Sequence, residues 1–222
     1  MYTNTASPWW EPPETHAANT KEAAIKLHRA RTRWMKRRAT HALIYTDGSE
    51  IQDQVGAAAW CPGAGRSKAR YLGENTKSTV YSAELVGLEL ALQITQELDN
   101  CNGATIFTDN QAAIQAVTRP IISSGQYITH RVIKEMEKSR GKGINTTIQW
   151  TPSHKGIPGN EEVDLLGKKA AGWVANTGKP YSTCYLTVHL TGRSGGSTGQ
   201  KGPLIVSKRY LPTHRRLPPL QS

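Results

Sequence analysis

His41-Ala-Leu-Ile-Tyr-Thr-Asp-Gly-Ser49 is the stretch on which the fold turns. A β-rich run, His41 to Thr46, leads into Asp47-Gly48, a dipeptide with turn chemistry. Just downstream, Val55 to Cys61 is a second short apolar run, closed by Pro62-Gly63, and Arg66 to Gly73 has the length of a third. Three short strands separated by turn residues predict an antiparallel meander.

The periodicity then changes. Ser82 to Leu98 has helical spacing, with Leu85, Leu88 and Leu92 on one side. Ala104 to Thr108 reads as a buried strand and Asn110 to Val117 as a short helix. Gly125 to Arg140 is a longer helix, with Ile128, Val132 and Met136 at i, i+4 and i+8. Ile144 to Trp150 alternates as a strand. Asn160 to Val174 closes as a helix, with Asn160 suited to the N-cap and Glu161 and Glu162 to its positive end. The order βββαβααβα points to an α/β fold, a mixed five-stranded sheet with flanking helices.

On either side of this region the composition shifts. Residues 1–20 are rich in Pro, Thr and Ala around Ser7-Pro-Trp-Trp-Glu-Pro-Pro13, which forbids helix there. Lys21 to Arg38 reads as a basic helix with few large apolar residues. Beyond residue 174 the chain has no Asp or Glu and is rich in Gly, Ser, Pro and Thr, the composition of a disordered basic tail. The net charge of +11 is unevenly spread: residues 21–40 carry +7, residues 41–173 carry −1 and residues 174–222 carry +7. The basic excess suggests a polyanionic partner, yet it lies in the flanks, so the chemistry of the central region must come from its motifs.

Cys61, Cys101 and Cys184 are widely spaced and odd in number, which argues against a disulfide framework and a zinc finger. No apolar run is long enough for a membrane span. The Met1-Tyr-Thr-Asn4 opening lacks the layout of a signal peptide. These features predict an intracellular protein of the nucleus or cytoplasm, not secreted and without a membrane partner.

Four acids stand out by position. Asp47 and Asp109 each follow an apolar strand, Glu84 lies in the first turns of the first core helix, and Asp164 is one turn into the last. Any one alone would be read as a turn or cap residue. Two strand ends and two helix N-terminal turns can meet at one sheet edge, where ligand sites of such sheets occur. Crowded carboxylates resist ionisation unless a cation neutralises them. A hard divalent ion such as magnesium does so through oxygen ligands, and two such ions suit phosphodiester hydrolysis.

Ile44-Tyr-Thr-Asp-Gly-Ser49, Tyr81-Ser-Ala-Glu-Leu85, Thr108-Asp-Asn110 and Trp150-Thr-Pro-Ser-His154, followed by Gly156-Ile-Pro-Gly-Asn-Glu161 and Asp164, together resemble type 1 ribonuclease H. The resemblance is nearest to the domain carried by non-LTR retrotransposons of fungi, where it follows a reverse transcriptase; the Pro-Trp-Trp segment and basic helix resemble the connector before it. The layout implied is a connector with a basic helix over 1–39, a ribonuclease H domain over 40–175 and a disordered tail over 176–222. The resemblance implies that Asp47, Glu84, Asp109 and Asp164 hold two Mg2+ ions, with Mn2+ able to substitute. It implies that His154 assists product departure or shuttles a proton. The reaction implied is endonucleolytic cutting of the RNA strand of an RNA–DNA hybrid, leaving 5′-phosphate and 3′-hydroxyl ends. Ser49 and Asn110 are candidate substrate contacts. A reverse transcriptase domain or protein is an implied partner.

The chain departs from the pattern at several points. Val80 and Tyr81 stand where cellular members carry Asn, and Val163 and Gly167 where Ala is usual. Gly167 inside a helix costs roughly 1 kcal/mol relative to Ala. No Trp-rich basic helix lies between Asp109 and Trp150, so Lys21–Arg38 is expected to supply part of the substrate grip. Trp9 and Trp10 are expected to pack the connector onto a neighbouring domain; Trp60, Trp150 and Trp173 read as core. Gly192-Arg-Ser-Gly-Gly196 matches a nucleophile elbow but has no strand and helix around it. The rival readings are a catalytically idle retroelement remnant that only binds nucleic acid, and a DNA-cutting transposase or resolvase of related fold.

Overall fold

The computed structural model describes residues 10–35, 37–120 and 125–172, and the backbone of 185–189. The elements are β1 (Glu14–His16), α1 (Lys21–Met35), β2 (His41–Ile51), β3 (Gln54–Cys61), β4 (Arg66–Glu74), α2 (Val80–Gln96), β5 (Gly103–Thr108), α3 (Gln111–Thr118), α4 (Gln126–Gly141), β6 (Asn145–Trp150), α5 (Pro158–Ala171) and β7 (Tyr185–His189). From β2 to α5 the order is the βββαβααβα expected from the sequence. The strands form one mixed sheet in the order β1-β6-β5-β2-β3-β4-β7. Its five central strands are the expected ones; β1 pairs parallel with β6 at one edge and β7 antiparallel with β4 at the other. Apart from Tyr185–His189, the expectation of a disordered tail over 176–222 falls outside the described residues, as does Trp173.

Alternation along the strands sorts the core into two layers. Ile44, Ala57, Ile106 and Ile148 point to the face covered by α2, α3 and α4, where Leu85, Leu88, Leu92 and Val132 fill the interior. Tyr45, Ala58, Trp60 and Phe107 point to the opposite face, where Val163, Leu166 and Ala170 of α5 cover part of the sheet. Helix α1 joins α5 there: its His28 Nε2 lies 2.9 Å from the Tyr45 hydroxyl, and its imidazole meets the Phe107 ring edge-on at 4.8 Å. Burial pushes the Tyr45 hydroxyl up to about 12, which keeps it protonated. On the α2 face the Glu89 carboxylate accepts from Arg70 at 3.0 Å and from Arg131 Nε at 3.2 Å, joining α2 to β4 and α4.

Two local expectations are corrected. Asp47-Gly48 is not a turn: β2 continues through it, paired with Ala58 and Ala57 of β3, and the chain reverses at Gln52-Asp53, both with positive φ. Gly48 serves close approach instead, since a Cβ there would lie 2.7 Å from the Glu84 backbone nitrogen and 2.9 Å from Ala83. Asn160 does not cap α5; the helix starts at Pro158 with Ile157 as N-cap, and Asn160 is buried in its first turn. Proline at the first helical position loses no hydrogen bond and arrives with helical φ, which moves the start upstream. Trp10, expected against a neighbouring domain, packs on this core and lies 5.6 Å from the Arg140 guanidinium. Trp60 is buried as expected, and Trp150 packs partly buried against the core.

Candidate active site

β2 and β5 run parallel side by side, with Tyr45 opposite Phe107, so Asp47 and Asp109 emerge at neighbouring points near the carboxyl end of β5. Thr79 caps α2 by accepting from the Ser82 backbone N–H, which fixes the first turns of that helix. Gly48 and Gly87 then let α2 lie close against β2. The result brings carboxylate oxygens of Asp47, Glu84 and Asp109 within 4.8 Å of one another.

Asp47 and Glu84 are buried and Asp109 is half-buried. The Ser49 hydroxyl donates to Asp47 Oδ2 at 2.5 Å. Burial, with the charges of Asp109 and Asp164 adding to it, lifts Asp47 to about 6, against the opposing Ser49 bond and Lys168 charge. Glu84 is raised well above the carboxylate range, first by burial and then by the charges of Asp47 and Asp109. Asp109 is raised by burial and by Asp164, with His154 pulling the other way. Glu84 Oε2 is buried and has no hydrogen-bond partner among the described residues. A crowd of oxygen donors, short of hydrogen-bond donors and resisting ionisation, fits a hard divalent cation.

The other site residues predicted from sequence lie around this trio. Asp164 stands outside it, paired with Lys168 at 2.6 Å across one turn of α5, yet near enough to raise Asp47 and Asp109. His154 is exposed on the loop between β6 and α5, with a positive φ of 51°, and its charge reaches Asp109. Ser49 is buried against Asp47, and the Asn110 side-chain oxygen caps α3 by accepting from the Ala113 backbone N–H.

Three contributors were not read as part of the site in the sequence, although Trp150 and Gly167 stood out there for other reasons. Lys168 holds Asp164, a pairing that the i, i+4 spacing could have signalled. Trp150 donates its indole N–H to the Asp109 backbone carbonyl at 3.0 Å, tying the ends of β5 and β6 together. At Gly167 a Cβ would stand 3.0 Å from both Asp47 Oδ2 and Ser49 Oγ. The apparent helix-propensity defect therefore makes room for the Asp47–Ser49 pair.

The family model described as RNase H matches residues 39–172. Among solved structures, the chain is similar to the N-terminal RNase H domain of a Mycobacterium tuberculosis protein, solved as a fusion with maltose-binding protein. The identity is 16% and the TM-score 0.48, covering 64% of this chain and 100% of that one. It is also similar to RNase H1 of the halophilic archaeon Halobacterium salinarum, at 16% identity and TM-score 0.45, covering 59% and 96% respectively. A foamy viral protease-reverse transcriptase, solved in complex with an RNA/DNA hybrid, matches at 15% identity and TM-score 0.47; there 59% of this chain covers 20% of the other.

Proposed function

The chain belongs to the ribonuclease H family, and from that premise we propose that it cuts the RNA strand of RNA–DNA hybrids endonucleolytically, with two divalent cations at the carboxylate cluster. The observation that carries this reading is the meeting of Asp47, Glu84 and Asp109 within 4.8 Å, with Glu84 Oε2 buried and without a hydrogen-bond partner among the described residues.

Asp47, Glu84 and Asp109 would hold the first cation, and Asp164 would join Asp47 in holding the second. Magnesium, or manganese in its place, supplies activation of water and stabilisation of the leaving oxygen when bound there. The chain's own residues set the stage. Ser49 orients Asp47, Trp150 anchors the Asp109 backbone, and Lys168 must release Asp164 before that carboxylate can turn to a cation. His154, exposed on the loop between β6 and α5 with its charge reaching Asp109, would hand a proton to the departing 3′-oxygen and help product leave. Asn110, half-exposed next to Asp109, would face the RNA strand, and Ser49 would act on substrate through Asp47. 2′-Hydroxyl contacts in the minor groove would select the hybrid.

The Pro-Trp-Trp segment and the basic helix before the domain support an origin in a non-LTR retrotransposon of the fungal type, with a reverse transcriptase as functional partner. Activity inside the cell, in nucleus or cytoplasm, follows from that reading.

The test is incubation of the purified chain with a labelled hybrid, with and without magnesium, beside Asp109→Asn and with duplex RNA and duplex DNA as controls. Magnesium-dependent cutting of the hybrid's RNA strand alone, lost in the variant, is the expected result. Cutting of duplex DNA would point to a transposase-like activity. A folded wild-type chain that cuts nothing would point to an idle remnant that only binds nucleic acid.

A further inference from the structure

Strand β1 runs parallel to β6, β6 to β5 and β5 to β2, so α1 must return against the direction of β2. His28 sits over Tyr45 and Phe107, and the chain then travels back to the start of β2, where the His41 backbone N–H donates to the Arg38 carbonyl at 3.1 Å. The end of α1 and the residues after it therefore lie at the pole of the sheet opposite the carboxylates. His41 and Asp47 are six residues apart on one strand, which spans about 20 Å.

Toward that pole Arg33, Trp34, Arg37 and Arg38 are exposed, and Arg29 stands exposed mid-helix, next to His28. None of the four arginines pairs with a carboxylate among the described residues. The only acid on α1, Glu22, is at its other end. Trp34 is 52% exposed, and the Arg38 guanidinium lies 3.9 Å above its ring, making a flat cationic plate. The helix beneath is fixed: Ala24 and His28 are buried against the sheet, and Arg31 hydrogen-bonds His16 of β1 at 2.6 Å. The Arg38 and Arg31 charges add to burial in lowering His41, a sign of the local positive field. An unneutralised arginine cluster with an exposed aromatic matches the chemistry of a nucleic-acid backbone, which carries about one negative charge per 1.7 Å of duplex axis.

We propose that Arg29, Arg33, Trp34, Arg37 and Arg38 form a second nucleic-acid docking surface, running from the middle of α1 to the pole about 20 Å from the carboxylates, that holds the phosphate backbone of the duplex flanking the cut. This rests on the reading of the hybrid as substrate. It also relocates the grip expected of the basic helix: the helix anchors duplex at a distance rather than lining the cutting site. Twenty ångströms is roughly six base pairs, so short hybrids miss this surface and long ones reach it.

The experiment uses the full chain carrying Asp109→Asn to prevent cutting. Fluorescence anisotropy across a salt series compares a hairpin-closed hybrid of about six base pairs with one of about twenty-four. The variants are Arg29→Gln/Arg33→Gln/Arg37→Gln/Arg38→Gln and, separately, Trp34→Ala; circular dichroism melts check that these exposed substitutions leave the fold intact. For the long hybrid the four-arginine variant should bind about tenfold or more weaker, with the log–log salt slope reduced by about three. Trp34→Ala should weaken the long hybrid less and leave the slope nearly unchanged. Binding of the short hybrid should not change. Equal loss on both lengths would place these residues in the cutting cleft and overturn the proposal, as would no loss on either. With Asp109 restored, a folded chain that cuts no hybrid but keeps the length-dependent loss would sink the hybrid-cutting reading and leave the docking surface standing.

Discussion

Asp47 faces opposing demands. It must be ionised to hold a cation, yet burial and its acidic neighbours lift it to about 6. Its folded value lies above its unfolded one, so its contribution to stability is present below about pH 4. That contribution is lost as pH rises through about 6. The loss is about 3 kcal/mol for a shift of this size, and Glu84 works in the same direction. The metal-free chain should therefore melt lower at pH 8 than at pH 5, and added magnesium or manganese should restore the difference. Asp47→Asn should raise the metal-free Tm at pH 8 by about 5–10 °C and abolish the metal-induced gain. Differential scanning calorimetry with and without divalent ions checks this. A variant that melts at or below wild type would mean that the carboxylate is not under repulsion.

The meeting of α2 with β2 sets the position of Glu84 at the scale of elements. Gly48 faces the helix, and the backbone of Ala83 and Glu84 occupies the place where a side chain would be. Helix backbone cannot yield as a flexible side chain can. Gly48→Ala should cost about 2–3 kcal/mol of stability and should lower hybrid cutting further than that loss explains, because Glu84 moves with the helix. Urea denaturation beside a cutting assay at a temperature where the variant is still folded separates the two effects. Wild-type stability in the variant would refute the close-approach reading. The same geometry explains why Asp47-Gly48 misled sequence reasoning. Asp-Gly has turn chemistry, but here the glycine is demanded by a helix distant in sequence, while the turn uses Gln52-Asp53, which carries no such signature.

For the whole molecule, the segment over residues 10–35 is part of the fold. β1 extends the sheet beyond β6, Trp10 packs on the α2-side core, and α1 covers Tyr45 and Phe107 beside α5. Deleting residues 1–38 would leave these rings open to water. The shortened chain, although it keeps Asp47, Glu84, Asp109 and Asp164, should melt about 5 °C or more below the full chain. It should also bind the hydrophobic dye ANS, and thermal and dye-binding measurements test this. A truncated chain as stable as the full one would show α1 to be only an appendage. Composition presents this segment as a proline-rich lead and a solvated basic helix, because its anchors, Trp10, Ala24 and His28, are too few to show as a periodic apolar face.

By itself the sequence determined the order of elements from β2 to α5 and marked four acids as site candidates, since period-2 and period-3.6 patterns and short motifs are local signals. Tertiary structure alone decided which acids meet. Asp47, Glu84 and Asp109 converge because a parallel β2–β5 pair and a helix seated on Gly48 bring them together, while Asp164 is held aside by Lys168. It also decided why Gly167 sits in a helix, as room for Asp47 and Ser49, and where the basic charge of α1 faces. Those outcomes depend on contacts between residues far apart in the chain, about which no local pattern carries information.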